Sequence, residues 1–138
     1  METLTQTKLS VDEAKAEFGR AKDRLATIYA ATPDDKINWS PSPTSRTPTE
    51  VVAHGAMSIS GLQGWIGGKP FPFESMAALD EWSRNEEKKF RTRESVLKLL
   101  EDNATGYQAF LDSLSQETLG SMFETQMGTF PMMNAITF

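Results

Sequence analysis

The 138-residue chain contains no cysteine and only one histidine, His54. Without cysteine it cannot form disulfide bonds, thiolate metal ligands or a cysteine nucleophile, and we expect a cytoplasmic protein because this composition fits a reducing compartment. No apolar run approaches the ~20 residues that a membrane-spanning helix needs. The N-terminus lacks the basic start and apolar stretch of a secretory signal. We therefore expect no membrane association.

Positive charge is also scarce, with 14 basic residues against 19 acidic ones and a formal net charge of −5. A broad phosphate-binding surface usually has the opposite balance. The one basic concentration, RNEEKKFRTRE at residues 84–94, is diluted by acidic residues. It is either an anion-binding patch or a solvent-exposed helix approach, and we favour the second interpretation. No nucleic-acid partner is expected.

The first predicted helix runs from about Val11 to Ala30. Ser10 followed three residues later by Glu13 forms a capping-box pattern, in which each side chain satisfies a backbone donor at the helix start. Pro33 ends the helix, because proline cannot continue the hydrogen-bond ladder. Apolar residues recur at steps of three and four and so share one face. They are Val11, Ala14, Phe18, Ala21, Leu25 and Ile28.

The second predicted helix begins at another capping box, formed by Thr47 and Glu50. Pro48 stands at the first helical position, where its missing N–H group costs nothing. Gly67 and Gly68 are predicted to end the helix. Its predicted apolar face consists of Val51, Ala56, Ile59, Leu62 and Ile66.

A third long helix is predicted behind the candidate N-cap Thr92, ending near the sequence SLSQETLG. Its apolar face consists of Val96, Leu97, Leu100, Ala104, Tyr107, Leu111 and Leu114. Residues 76–82 are expected to form a short turn of helix. Trp39, in the proline-rich connector before the second helix, is expected to be buried over one end of the bundle. No segment alternates in a way that predicts a strand, so the fold class is all-α.

Three long amphipathic helices need a fourth partner to close a bundle. Residues 128–138, GTFPMMNAITF, are predicted to form its first turns, with Thr129 as a possible cap. About ten residues make a short helix beside three of roughly twenty. We therefore predict one domain over residues 1–138, an up-down four-helix bundle whose fourth helix is short or truncated.

The order of these features resembles that of the DinB/YfiT-like family of bacterial four-helix bundles. The resemblance lies in a first amphipathic helix followed by TPDDKINWSPSPTSRTPTEVVAHGA, in which a turn, a tryptophan, a proline-rich link and a capped second helix lead to His54. It implies a bundle with a divalent metal at one end, typically nickel or zinc, held by one histidine of the second helix and two of the fourth. His54 falls on the first of these positions, and the other two have no counterpart in this chain. Some members are thiol S-transferases that use a low-molecular-weight thiol, others are hydrolases or isomerases, and a role in a stress response is implied.

His54 thus has three possible roles. The first is that of an inherited metal ligand in an incomplete site. The second is that of a partner of Glu50, one helical turn earlier, in a mixed carboxylate–imidazole metal site. The third is that of a side chain that forms hydrogen bonds within the bundle and binds no metal. Glu50 already has a role as the acid of the capping box, which disfavours the second interpretation. Under the first, a complete site would hold Ni²⁺ or Zn²⁺, and we expect none bound in this chain.

Two classes of function remain open. The first is a metal-dependent thiol S-transferase or hydrolase of the DinB/YfiT-like kind, with a low-molecular-weight thiol as a possible partner. The second is a metal-free helical interaction module. Three helices with an uncovered apolar face tend to associate, so we also expect a homodimer formed through this open face and the C-terminal segment FPMMNAITF.

Overall fold

The computed structural model describes residues 2–119, 122–125 and 128–131. Its helices are α1 (Glu2–Ala31), α2 (Pro48–Ile66), α3 (Met76–Glu87), α4 (Arg93–Ser113) and the one-turn α5 (Gln116–Leu119), and a short 3-10 turn covers Asp34–Lys36. Two four-residue strands follow, β1 (Met122–Thr125) and β2 (Gly128–Pro131). Four helices of twelve residues or more form the body of the fold. The predicted all-α class is confirmed.

Helix α1 begins earlier than the capping-box pattern predicts. The helix is continuous from Glu2, so Ser10 lies inside it and does not cap it. No glycine or proline stands between Glu2 and Ser10 to stop the helix from extending. The end is as predicted, since α1 stops at Ala31, two residues before Pro33. Arg93 donates hydrogen bonds to the carbonyl oxygens of Tyr29, at 2.7 Å, and Thr32, and so joins this end of α1 to the start of α4.

The start of α2 agrees with the prediction in detail. Thr47 is the N-cap, its hydroxyl accepts from the backbone N–H of Glu50 at 3.1 Å, and the Glu50 carboxylate accepts from the backbone N–H of Thr47 at 3.2 Å. The predicted apolar face is partly wrong, because Val51 is 45% exposed. The residues of α2 that are buried are Thr49, Val52, Ala53, Ala56 and Ile66. The helix is thus rotated about its axis relative to the predicted stripe.

Helix α4 forms the centre of the core, and α2 packs on it more extensively than any other helix does. Thr92 caps α4 as predicted, its hydroxyl accepting from the backbone N–H of Ser95 at 3.2 Å. The core has two clusters, one at each end of the α2–α4 contact. The first contains Val11, Ala14, Ile66, Tyr107 and Leu111, and the second contains Tyr29, Val52, Ala53, Ala56, Val96 and Leu100.

Three other expectations are wrong. Residues 76–87 form a full helix, α3, where only a turn was expected, because Ser75 caps it by accepting from the backbone N–H of Ala78 at 3.1 Å. Trp39 is 53% exposed and not buried over the bundle; the Lys36 ammonium group lies over its ring, 5.4 Å from the centroid. Residues 128–131 do not begin a helix.

Those four residues form β2, which pairs antiparallel with β1, so that Thr129 lies opposite Glu124 and Phe130 opposite Phe123. Thr129 is therefore a strand residue and not a helix cap. The remaining part of the predicted fourth helix, residues 132–138, lies outside the described residues. In the described part of the chain, no helix is both long enough and apolar enough to span a lipid bilayer.

Candidate functional site

The single histidine lies near the middle of α2, on a side of the helix that is only partly covered. The His54 side chain is 46% exposed. Its backbone carbonyl accepts a hydrogen bond from the Ser58 hydroxyl at 2.7 Å, within the helix. One residue further on, Gly55 allows α1 to approach, because a Cβ atom there would lie 3.3 Å from a methyl carbon of Leu25. His54 is therefore carried by a part of α2 that packs closely against α1.

The partner of His54 is Glu87, the last residue of α3. The Nδ1 atom of His54 lies 3.0 Å from Glu87 Oε2, and the Glu87 side chain has no exposed surface. His54 Nε2 has no hydrogen-bond partner among the residues that the structure describes. If Nδ1 carries the proton and donates to the carboxylate, Nε2 is left with a free lone pair on the exposed side of the ring.

Arg46 holds the same carboxylate from the other side. Its Nε atom donates to Glu87 Oε1 at 2.5 Å and its Nη2 atom donates to Glu87 Oε2 at 3.2 Å. Two parallel bonds of this kind are the strong bidentate geometry of arginine–carboxylate pairs. The hydrogen bond to Glu87 raises the pKa of Arg46 above its ordinary value. Arg46 precedes the N-cap of α2, so the pair joins α3 to the start of the helix that carries His54.

A second, more exposed ion pair supports the same junction. Arg46 Nη2 also lies 3.5 Å from Asp80 Oδ1, and Arg84 Nε donates to Asp80 Oδ2 at 2.9 Å. The hydrogen bond from Arg84 holds the pKa of Asp80 below its ordinary value. Arg84 also donates to the carbonyl oxygen of Thr44 at 3.0 Å. The loop before α2 and the helix α3 are therefore tied at three points.

The residues around His54 offer one side chain with a nitrogen free to bind a metal, and not a complete set of ligands. Both oxygens of Glu87 are engaged by Arg46 and His54, and Glu50 is engaged in the cap of α2, so the mixed Glu50–His54 pair is not formed. Over residues 2–119 and the two strands, no group of three His, Asp or Glu side chains could hold a metal ion. His54 itself fits a ligand, because ligating histidines usually donate their other N–H group to a carboxylate.

Sequence reasoning singled out His54 and missed its two supporting residues. Glu87 was part of the charged run 84–94, which was expected to be exposed to solvent. Once α3 is known to be a helix, Leu79, Ser83 and Glu87 follow one another at steps of four, and the last two are buried. This four-residue spacing could have indicated that Glu87 lies on the buried face of a helix. It was not recognised because α3 was not predicted as a helix.

Comparison with known protein families settles the relationship. The model of the DinB superfamily matches residues 9–137. The chain belongs to the DinB superfamily. The resemblance found in the sequence is thereby confirmed. No curated protein sequence matches this DinB-superfamily chain significantly.

Solved structures with the same fold include a crystal structure of a mycothiol-dependent maleylpyruvate isomerase. It has a TM-score of 0.60 and 16% sequence identity, over 98% of this chain and 53% of that one. A histidine-to-alanine mutant of such an isomerase gives a TM-score of 0.59 and 15% identity over the same shares. The DinB-superfamily chain thus spans about half the length of the solved structures that it matches, and the likeness concerns the fold.

Proposed function

We propose that this DinB-superfamily chain provides one metal ligand, His54 Nε2, to a metal-dependent enzyme of the thiol S-transferase, isomerase or hydrolase type. The observation that carries the proposal is the contact of 3.0 Å between His54 Nδ1 and the buried Glu87 carboxylate. A carboxylate on one ring nitrogen raises the basicity of the other and fixes its direction. The half-exposed ring leaves room for an ion and further ligands.

The proposed co-substrate is a low-molecular-weight thiol. A solved structure of the same fold is named as a mycothiol-dependent isomerase, which supports this class of thiol. A divalent ion bound here would favour the thiolate form of such a thiol at neutral pH. The other ligands are not found among the described residues, so no catalytic step is assigned to the side chains around His54.

The test is a calorimetric titration of the untagged chain with Ni²⁺ and Zn²⁺. Since the chain has one histidine and no cysteine, any imidazole-dependent binding must involve His54. The expected result is weak binding, because one ligand does not make a complete site, and a further loss of affinity of at least about tenfold in His54→Ala, since losing even a residue that supports a ligand typically costs that much. The matched control is Glu50→Gln, which changes a carboxylate one helical turn earlier and keeps the capping box, since glutamine also serves there.

Equal metal affinity in the native chain and in His54→Ala would contradict the proposal. So would the absence of any measurable binding by the native chain. A loss of affinity in Glu50→Gln as large as that in His54→Ala would also contradict it, because it would transfer the ligand role to the carboxylate.

A second candidate is a homodimer that acts as an interaction module, and the exposed apolar side chains of α1 and α2 favour it. Ile28 is 62% exposed and Val51 is 45% exposed. Each lies about one turn from the contact between Leu25 and Gly55, so both belong to the same side of the α1–α2 pair. Sedimentation of the native chain is expected to show a dimer, and Ile28→Lys is expected to shift it to the monomer. A native monomer at tens of micromolar would refute this candidate.

A further inference from the structure

Glu87 lies where an acidic residue is locally unfavourable. It is the last residue of α3, at the end of the helix where the backbone dipole repels negative charge. It is also completely buried, which is costly for a carboxylate unless it is paired and hydrogen-bonded. A residue that breaks two local rules in this way commonly has a functional reason.

We infer that Glu87, held by Arg46, is a positioning residue that fixes the neutral imidazole of His54 as the Nδ1–H tautomer before any metal binds. The use of this arrangement rests on the proposed function, because a free Nε2 atom is what a metal ion requires. The arrangement itself does not depend on the metal, since it is built only from Arg46, Glu87 and His54.

The donors and acceptors of the three side chains determine this tautomer. An arginine side chain has only donors, and the donors of Arg46 lie 2.5 Å from Oε1 and 3.2 Å from Oε2 of Glu87. Glu87 therefore serves as a hydrogen-bond acceptor on both oxygens. The contact of 3.0 Å between Oε2 and His54 Nδ1 is a hydrogen bond only if Nδ1 is the donor. The lone pair of the neutral ring is then on Nε2.

Replacing Glu87 by glutamine should move the ring proton of His54 from Nδ1 to Nε2, while the shape of side chain 87 stays almost the same. The amide oxygen is expected to occupy the place of Oε1, because the closer donor of Arg46 lies there, at 2.5 Å. The amide NH₂ group then occupies the place of Oε2, where it cannot accept the longer hydrogen bond from Arg46 Nη2, and it faces His54 Nδ1. Nδ1 must now accept, so the ring proton moves to Nε2 and the lone pair needed for a metal is lost from that atom.

The experiment is a long-range ¹H–¹⁵N NMR correlation on metal-free, untagged protein in mildly alkaline buffer, where the neutral ring is observed. The chain has one histidine, so the ring signals need no assignment. Nε2 couples to both carbon-bound ring protons and Nδ1 couples strongly to one, which identifies each nitrogen. The native protein is expected to show a protonated Nδ1 and an unprotonated Nε2. A predominant Nε2–H tautomer in the native protein would overturn the inference without any variant.

Two variants complete the test. Glu87→Gln is expected to show the Nε2–H tautomer, and Glu50→Gln, with its cap intact, is expected to keep Nδ1–H. An unchanged tautomer in folded Glu87→Gln, or the same change in both variants, would overturn the inference. All spectra are recorded without metal. If the native chain failed to bind Ni²⁺ or Zn²⁺, only the proposed function would be contradicted, and the tautomer result would stand by itself.

Discussion

Replacing Arg46 by methionine removes the cation from a carboxylate that has no contact with solvent. Arg46 is itself largely buried, with 19% of its side chain exposed, and Glu87 is at 0%. The substitution keeps most of the aliphatic length and removes both guanidinium hydrogen bonds to Glu87. His54 Nδ1 then remains as the side-chain partner of that carboxylate in the described structure.

Removing one partner of a buried ion pair costs about 3–5 kcal/mol, because the remaining charge is desolvated and unpaired. We expect a value near the low end, about 3 kcal/mol, since His54 still donates to Oε2. For a domain of this size, that corresponds to a fall in Tm of about 10 °C. Asp80→Asn is the control, because Asp80 is 54% exposed and an ion pair at the surface contributes little to stability.

Urea unfolding followed by circular dichroism measures these differences. The decisive comparison is with the double variant Arg46→Met/Glu87→Leu, in which the charge is removed together with its partner. Replacing both members of a buried pair by apolar residues is often close to neutral, so the double variant should be more stable than Arg46→Met alone. A double variant no more stable than the single one would refute the idea that an unpaired Glu87 causes the loss.

Three further predictions concern the core around α4. The Thr49 hydroxyl donates to the carbonyl oxygen of Ile37 at 2.8 Å, so in the contact of 2.8 Å between Tyr29 and Thr49 Oγ1 the Tyr29 hydroxyl is the donor. Tyr29→Phe removes this hydrogen bond, and the free energy of unfolding should fall by about 1 kcal/mol. Leu111 is 1% exposed, and Leu111→Ala should cost about 3 kcal/mol in thermal or urea unfolding through the cavity that it leaves. Burial raises the pKa of Tyr107 above its ordinary value of 10.0. Its contribution to stability is therefore complete below about pH 10, the unfolded value, and is lost as the pH rises through the folded-state pKa. Above about pH 10, Tyr107→Phe should lose less stability with rising pH than the native protein does.

The elements that the sequence predicted well are those whose signals are local. Thr47, Pro48 and Glu50 act within four residues of one another, and the helix starts where they indicate. Thr92 caps α4 for the same reason. Ser10 shows the limit of this reasoning, because a cap pattern without a preceding helix breaker does not stop a helix from extending towards the N-terminus.

The candidate site was harder to predict because it depends on contacts between distant parts of the chain. His54 was found because histidine is unique here, but its partner Glu87 lies 33 residues away, at the end of a helix that was not predicted. Arg46 and Glu87 are 41 residues apart. Their burial follows from the packing of α3 beside α2. The sequence around each of them does not distinguish it from a charged residue that is exposed to solvent. The rotation of α2 that exposes Val51 is likewise set by its packing on α4.

The most direct test of the account is a Zn²⁺ titration of the untagged native chain, followed on the two ring nitrogens of His54 by NMR. The account predicts that the Nε2 signal changes as Zn²⁺ is added, while Nδ1 keeps its proton and its hydrogen bond to Glu87. A change at Nδ1 with loss of that proton would contradict the proposed geometry. No change at either nitrogen would contradict the role of His54 as a metal ligand.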